Sequence, residues 1–335
     1  MARHTFNTLM QRLNHAGFKA EFVRTAILPE WWEDPCAQDA ALLPEVEVRV
    51  ARFLTESVAV VRDPNAPLAA PRNSGVQLRR VRRARRGRLT PAIHTALQIA
   101  GAVVRSIRDP EREVRLPPGD ARAWRDELTR ADAVVRLPDI AADLWARGIP
   151  VVPLGVLPSP SFQGLACFIA GRPVVLLGQA YDEPSRLAFF IVHEVGHIEA
   201  GDCAPGRPVV DEQDEVVDDE AMERSADAYA TDVLVGGFDV VNVAAGSFKD
   251  LARKAVQIEK ESAVDAAAVI WSWARRTGKF GPATLAVKAL YRTIGGRRHL
   301  REHFDRHVDV DAAAESDRAL LRCVYGEPER DAAAP

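Results

Sequence analysis

The sequence has 335 residues, more than one average domain, so two or three domains are expected. Hydrophobic residues make up 47% of it, enough for a buried core, which excludes wholesale disorder. The 44 Lys and Arg nearly balance the 47 Asp and Glu, and a net charge of −3 taken as a sum argues against a nucleic-acid or membrane-surface protein.

Position changes that reading. Between Pro64 and Arg108 the chain holds ten arginines and no acid, and between Pro208 and Glu223 eight carboxylates and no base. No apolar run approaches the roughly 20 residues that span a bilayer, so no membrane association is expected. The start, Met1 to Gln11, lacks a signal-peptide pattern, and Cys36, Cys167, Cys203 and Cys323 form no CxxC pair, so a cytoplasmic protein with reduced thiols is expected.

In chain order, Phe6, Leu9, Met10 and Leu13 recur at helical spacing and Gly17 is placed to end that helix. Phe22, Val23, Ala26 and Ile27 mark a second helix before Pro29, and Val46, Val50, Phe53 and Leu54 a third, with a short apolar stretch at Val58–Val61. Several short helices in some sixty residues is the format of a helix-turn-helix module. The prolines at 64, 67 and 71 read as a linker, followed by seven arginines between Leu78 and Arg88 and by a helix from Thr90 to Ile107. Leu116 to Asp120 is a break.

A helix through Leu144 and Trp145 should end at Gly148. Ile149–Leu154 is a β-branched run, and Leu165–Ala170 and Val174–Leu177, separated by Gly171-Arg172-Pro173, read as a hairpin. Pro184 opens a helix that is apolar almost all round over Leu187–Val192 and should therefore be buried. The expected fold class is α+β, predominantly helical.

That buried helix carries His193-Glu194-Val195-Gly196-His197. Residues four apart on a helix lie about 40° apart around its axis, so both imidazoles project from one face. Two nitrogens so placed suit one tetrahedral zinc, with Glu194 beside a metal-activated water as general base. Two buried histidines and a glutamate on an apolar helix also need partners, which a metal provides. A catalytic zinc takes a third protein ligand, and Glu223 and Asp227 stand four apart in the next helical segment. Glu223 is the expected ligand and Asp227 the acceptor for the second N–H of a ligand histidine; Glu220, one turn earlier, is the rival ligand. The acids from Asp211 to Asp219 read as a solvated loop. Tyr229 and the later histidines are candidates for oxyanion stabilisation. His299, His303 and His307 read as an amphipathic surface stripe rather than a second metal site, and Trp271 and Trp273 as core or interdomain packing.

Together these residues resemble the ImmA/IrrE-type metallopeptidases. The resemblance runs from Leu144-Trp145 through Gly148-Ile149-Pro150-Val151-Val152, Phe162-Gln163-Gly164-Leu165-Ala166 and Arg172-Pro173-Val174-Val175-Leu176-Leu177. It continues through the HExxH to Glu223-Arg224-Ser225-Ala226-Asp227-Ala228-Tyr229-Ala230, where Tyr229 replaces the usual Phe. It covers about Asp139 to Leu234, with ExxxD downstream of HExxH as in gluzincins. It implies a small zincin-like domain of short sheet plus HExxH helix, one Zn²⁺ per chain, and cleavage of a partner repressor protein of helix-turn-helix type.

The expected organisation is a helix-turn-helix-like helical module at 1–63, a Pro/Arg-rich linker and helix at 64–120, a zincin-like domain at 121–237 and a helical region at 238–335. The expected function is a zinc endopeptidase acting on a regulatory protein in stress response or transcription control. The alternative is a DNA-binding regulator or antitoxin-like protein in which the zincin domain senses or scaffolds. In that case Arg79, Arg80, Arg82, Arg83, Arg85, Arg86 and Arg88 would supply phosphate contacts, unless they are a solvated linker or dock on the chain's own acidic loop.

Overall fold

The computed structural model describes residues 4–71, 77–79, 83–129, 134–178, 181–211, 220–238, 246–290 and 295–325. The N-terminal part holds α1 (Phe6–His15), α2 (Ala20–Ala26), α3 (Leu43–Leu54) and α4 (Val58–Arg62), then β1 (Gln77–Arg79) and α5 (Arg83–Arg105). Next come α6 (Ala121–Leu128), α7 (Leu137–Ala146), β2 (Val151–Pro153), β3 (Gly164–Ile169), β4 (Arg172–Leu177), α8 (Pro184–Glu199), β5 (Val209–Asp211) and α9 (Glu220–Val235). The remainder is helical: α10 (Phe248–Ser262), α11 (Ala266–Thr277), α12 (Phe280–Leu290), α13 (Gly296–His307) and α14 (Glu315–Arg322). The fold is α+β and predominantly helical, as its apolar periodicities require.

The segment between α2 and α3 forms turns and two short 3-10 helices, Asp34–Gln38 and Ala40–Leu42. Two local expectations shift. Helix α5 starts at Arg83, not at Thr90, and continues through Pro91, whose ring packs where Gly17 leaves α1. A Cβ on Gly17 would stand 2.7 Å from Pro91 Cγ, and its backbone φ of +94° independently favours glycine. The β3–β4 hairpin turns on Ala170-Gly171, with Ile169 paired to Arg172, so Arg172 and Pro173 belong to the strand. Both turn residues have positive φ, +50° and +81°, the handedness that matches the twist of a two-residue hairpin.

The sheet runs in the order β1-β5-β3-β4-β2. Strands β3 and β4 are antiparallel, β3 and β5 antiparallel, and β2 is parallel to β4. Alternation along β4 sends Val174 and Leu176 to one apolar cluster and Val175 and Leu177 to another, so the sheet is covered on both faces. The first cluster also contains Leu9, Val50 and Phe53 of the N-terminal helices and Phe18 of the turn between α1 and α2, with α5 packed against β3 and β4. The second contains Leu187–Val192 of α8, Ala230 and Val233 of α9 and the α11 core around Ile270. That second layer positions the HExxH helix. Among the described residues no helix is long and apolar enough to cross a membrane.

Candidate metal centre

Helix α8 begins at Pro184, a residue preorganised for the first helical turn, and Glu183 caps it by accepting from Ser185 N at 2.9 Å and Arg186 N at 2.8 Å. Trp271 Nε1 donates to the same carboxylate at 2.9 Å, and burial pushes Glu183 above the usual carboxylate range. Every residue from Leu187 to Ile198 is buried, so any polar side chain there must find partners inside the protein.

Those partners come from α9. The two helices cross where Gly196 meets Ala226: a Cβ on Gly196 would stand 3.1 Å from Ala226 Cα and 3.4 Å from Ala226 Cβ. Glycine at the fourth position of the motif thus lets α9 approach closely, and Glu223 and Asp227, on either side of Ala226, come level with the two histidines.

The resulting triad is compact. His193 Nε2 lies 3.1 Å from His197 Nε2, Glu223 Oε2 lies 3.5 Å from His193 Nε2, and Glu223 Oε1 lies 3.4 Å from His197 Nε2. Ligand atoms about 2.1 Å from a tetrahedral ion stand about 3.4 Å apart, so these spacings fit a single ion held by three ligands. The outer nitrogens are also engaged. His193 Nδ1 is 3.0 Å from Asp227 Oδ1, and His197 Nδ1 is 2.9 Å from Asp202 Oδ2. A carboxylate can only accept, so His197 Nδ1 donates to Asp202, and the Asp227 carboxylate 3.0 Å away favours the proton of His193 on Nδ1; in the neutral ring each Nε2 then turns a lone pair inward. Two imidazole lone pairs and a carboxylate converging in a buried space repel one another unless a cation sits among them. Burial pushes the Glu223 carboxyl up, but His193 and His197 outweigh it and hold it well below the usual carboxylate range. Burial opposes protonation of His197, yet Glu223, Glu194 and Asp202 hold its imidazole above its ordinary value.

Glu194 is 1% exposed and lies over the backbone of Gly164 at the start of β3, where a Cβ would stand only 2.1 Å from Glu194 Oε1. Of the two carboxylates considered as third ligand, Glu223 is within ligand distance of both imidazoles; the side chain of Glu220 lies outside the described residues. The acids from Asp211 to Asp219 also lie outside them, apart from the backbone of Asp211 in β5. Tyr229 directs its hydroxyl to Pro118 O at 2.8 Å and stacks on Trp124, with burial raising its pKa; that oxygen is committed to the α6 approach.

Among the described residues His193, His197 and Glu223 form the single group of three or more potential metal ligands. The later histidines assemble no such group, but they are not all a surface stripe either. His303 is 5% exposed, its pKa lowered to about 4 by burial and then by Arg306, and His307 stacks on Trp145 with centroids 4.7 Å apart. Leu300, His303 and Phe304 form the buried face of α13. Trp271 and Trp273 are buried in the core beside α8.

Of the arginine block, Arg80 and Arg82 lie outside the described residues, and only the backbone of Arg79, Arg83, Arg85, Arg86 and Arg88 lies within them. Strand β1 pairs in parallel with β5, Arg79 opposite Asp211, so the basic block starts beside the acidic one. Two features of the centre escaped the sequence reading. Asp202 carried no signal beyond being an acid just past the helix end. Gly164 was part of a recognised segment, but its contact with Glu194 is a tertiary fact. No protein-family model matches the chain, and no curated protein matches it either.

Proposed function

We propose that this protein is a zinc-dependent endopeptidase of the ImmA/IrrE type whose substrate is a partner regulatory protein, a helix-turn-helix repressor being the class the sequence resemblance favours. The observation that carries the reading is the spacing of 3.1, 3.4 and 3.5 Å among His193 Nε2, His197 Nε2 and the Glu223 oxygens, with Glu194 on the same helix. Two nitrogens and one oxygen leave a tetrahedral ion one open position, whereas structural zinc sites close all four with protein ligands.

Held there, zinc supplies the Lewis acidity that polarises a peptide carbonyl and lets a water give up its proton near neutral pH. His193, His197 and Glu223 would hold the ion, and Asp227 and Asp202 would keep the two rings in the tautomer that presents Nε2. Glu194 takes the proton of the attacking water and returns it to the leaving amine nitrogen, so one carboxylate serves as base and then as acid. Its burial keeps the proton transfer out of bulk water, and the close approach of Gly164 limits the positions open to its carboxylate.

The test measures metal and hydrolysis separately. Purified chain should contain about one zinc, His193→Ala should lose it, and Glu194→Gln should keep it while failing to cut the cognate repressor. Zinc well below one per chain, unchanged by His193→Ala, rules the reading out.

A further inference from the structure

The two ligand imidazoles are supported in different ways. His193 Nδ1 lies 3.0 Å from the carboxylate of Asp227, which comes from the neighbouring helix and whose side chain is 31% exposed. His197 donates to Asp202, which belongs to the same chain segment and whose side chain is 8% exposed. After α8 ends, the backbone turns sharply at Gly201, where φ is +74°. It then folds back so that Asp202 N and Cys203 N both donate to His197 O, at 3.0 and 3.2 Å. Asp202 therefore grips His197 twice, by its backbone at the carbonyl and by its carboxylate at the ring. The loop between them is only five residues along, so little in the rest of the fold can move one without the other.

Resting on the metal-centre reading above, we propose that Asp202 is a positioning residue for the metal, holding His197 Nε2 on the ion and contributing more to metal retention than Asp227 does. The argument is one of dielectric and geometry. The Asp202 carboxylate is shielded from water, so its hydrogen bond to an imidazole is stronger than that of a partly solvated one. It also raises the electron density on the ring nitrogen that faces the ion. The turn fixes it before any metal arrives, which lowers the ordering cost of binding. Asp227 supports His193 from a separate helix with its oxygens partly in solvent, where the same interaction is screened.

The experiment uses the full chain and the metal alone. Zinc affinity is measured by competition with a chromophoric chelator at pH 7.5 for the wild type, Asp202→Asn, Asp202→Glu and Asp227→Asn. Asparagine keeps the shape and an acceptor oxygen but removes the charge. The expected loss for Asp202→Asn is about 10- to 100-fold, with a smaller loss for Asp227→Asn and partial recovery in Asp202→Glu. In the cobalt-substituted protein, proton NMR should show two exchangeable, paramagnetically shifted imidazole N–H signals. Asp202→Asn should move one of them and Asp227→Asn the other, a pattern that general loosening of the fold does not produce. Zinc affinity of Asp202→Asn within twofold of wild type, or a larger loss in Asp227→Asn, overturns the proposal. A wild type that binds zinc no better than His193→Ala overturns the metal centre itself and the proposal with it. Should Asp202→Asn fail to fold, Asp202→Glu decides: a zinc affinity below wild type with one shifted N–H signal moved supports the proposal, and wild-type affinity with both signals unmoved overturns it.

Discussion

Replacing Gly164 with alanine tests the placement of Glu194 without touching a ligand atom. The added methyl would stand 2.1 Å from Glu194 Oε1, 2.8 Å from Cδ and 3.0 Å from Cγ. A carbon–oxygen contact needs about 3.3 Å, so either the carboxylate or the strand must move by about 1 Å. Glu194 is 1% exposed and sits in a packed layer, so that movement is not free. Overpacking of this kind costs about 1–3 kcal/mol, while alanine in a strand recovers about 0.5–1 kcal/mol relative to glycine, leaving a net loss of about 0–2.5 kcal/mol. Removing the carboxylate should remove the clash. Urea unfolding of Gly164→Ala, Glu194→Ala and the double variant, all with saturating zinc, forms a cycle with an expected coupling of about 1–3 kcal/mol in favour of the double variant, because the strand gain of alanine cancels and the clash remains. Zinc content should stay near one per chain throughout. Cleavage of the substrate by Gly164→Ala should fall about 100-fold, the usual consequence of misplacing a reacting group by 1 Å. Additive stabilities, within about 0.5 kcal/mol, would refute the contact.

Other consequences follow from the same geometry. Gly196→Val inserts bulk where a Cβ already meets Ala226 Cα at 3.1 Å, so α9 should be pushed from α8 and zinc affinity should drop together with stability; a competition titration reads the first and thermal melting the second. Arg172 donates to Gly148 O at 2.7 Å and to Pro110 O and Arg112 O at 3.0 Å, so Arg172→Met leaves three carbonyls without that donor and should cost about 3 kcal/mol in urea unfolding. In the metal-free protein the raised His197 stabilises fully below its unfolded pKa of 6.5 and is lost as pH rises through its folded value. The lowered Glu223 stabilises fully above 4.5 and is lost as pH falls through its folded value. Melting with zinc and with chelator should therefore differ least near pH 5.5 and most near pH 8, where no proton must leave His197; equal differences at the two pH values would contradict this. Neutralising Arg79, Arg80, Arg82, Arg83, Arg85, Arg86 and Arg88 should leave zinc content unchanged, and any DNA binding it abolishes should be salt-dependent, as gel-shift titration would show.

What could be read from the sequence was what the helix repeat dictates. Spacing of four put His193 beside His197 and Glu223 beside Asp227, and the apolar run at Leu187–Val192 required that the first pair be buried. The same repeat placed Leu300, His303 and Phe304 on one face, a signal that His303 belongs inside and that the stripe reading passed over. Turns were harder. The hairpin turns one residue earlier than Gly171-Arg172-Pro173 indicated, because two consecutive positive-φ residues, Ala170 and Gly171, complete it and Arg172 is drawn to carbonyls elsewhere in the chain. The start of α5 was hidden because a proline usually opens a helix, while here Pro91 is accommodated by the space at Gly17. Asp202 was invisible for a similar reason: its bond to His197 depends on the path of the turn after α8, which no periodicity encodes.

The charge at the centre shows why these pieces belong to one device. Glu194, Asp202 and Glu223 are each less than a tenth exposed, and Asp227 adds a fourth carboxylate at the rim. Two of the four are spent on Nδ1 protons, so they strengthen the imidazoles as ligands rather than neutralise them. Glu223 faces the space between the rings, and Glu194 acts on His197 through its charge. His197 and Glu223 face each other and each favours the charged form of the other, which is why the two are shifted in opposite directions. A dication would place twice a proton's charge at that point, where the low surrounding dielectric makes the gain large. The bulk charge of −3 carries no trace of this. The repulsion built into the crossing of α8 and α9 at Gly196 and Ala226 favours a cation there, and a protein that had only to pack those helices would have little reason to bury three acids there and set a fourth at the rim.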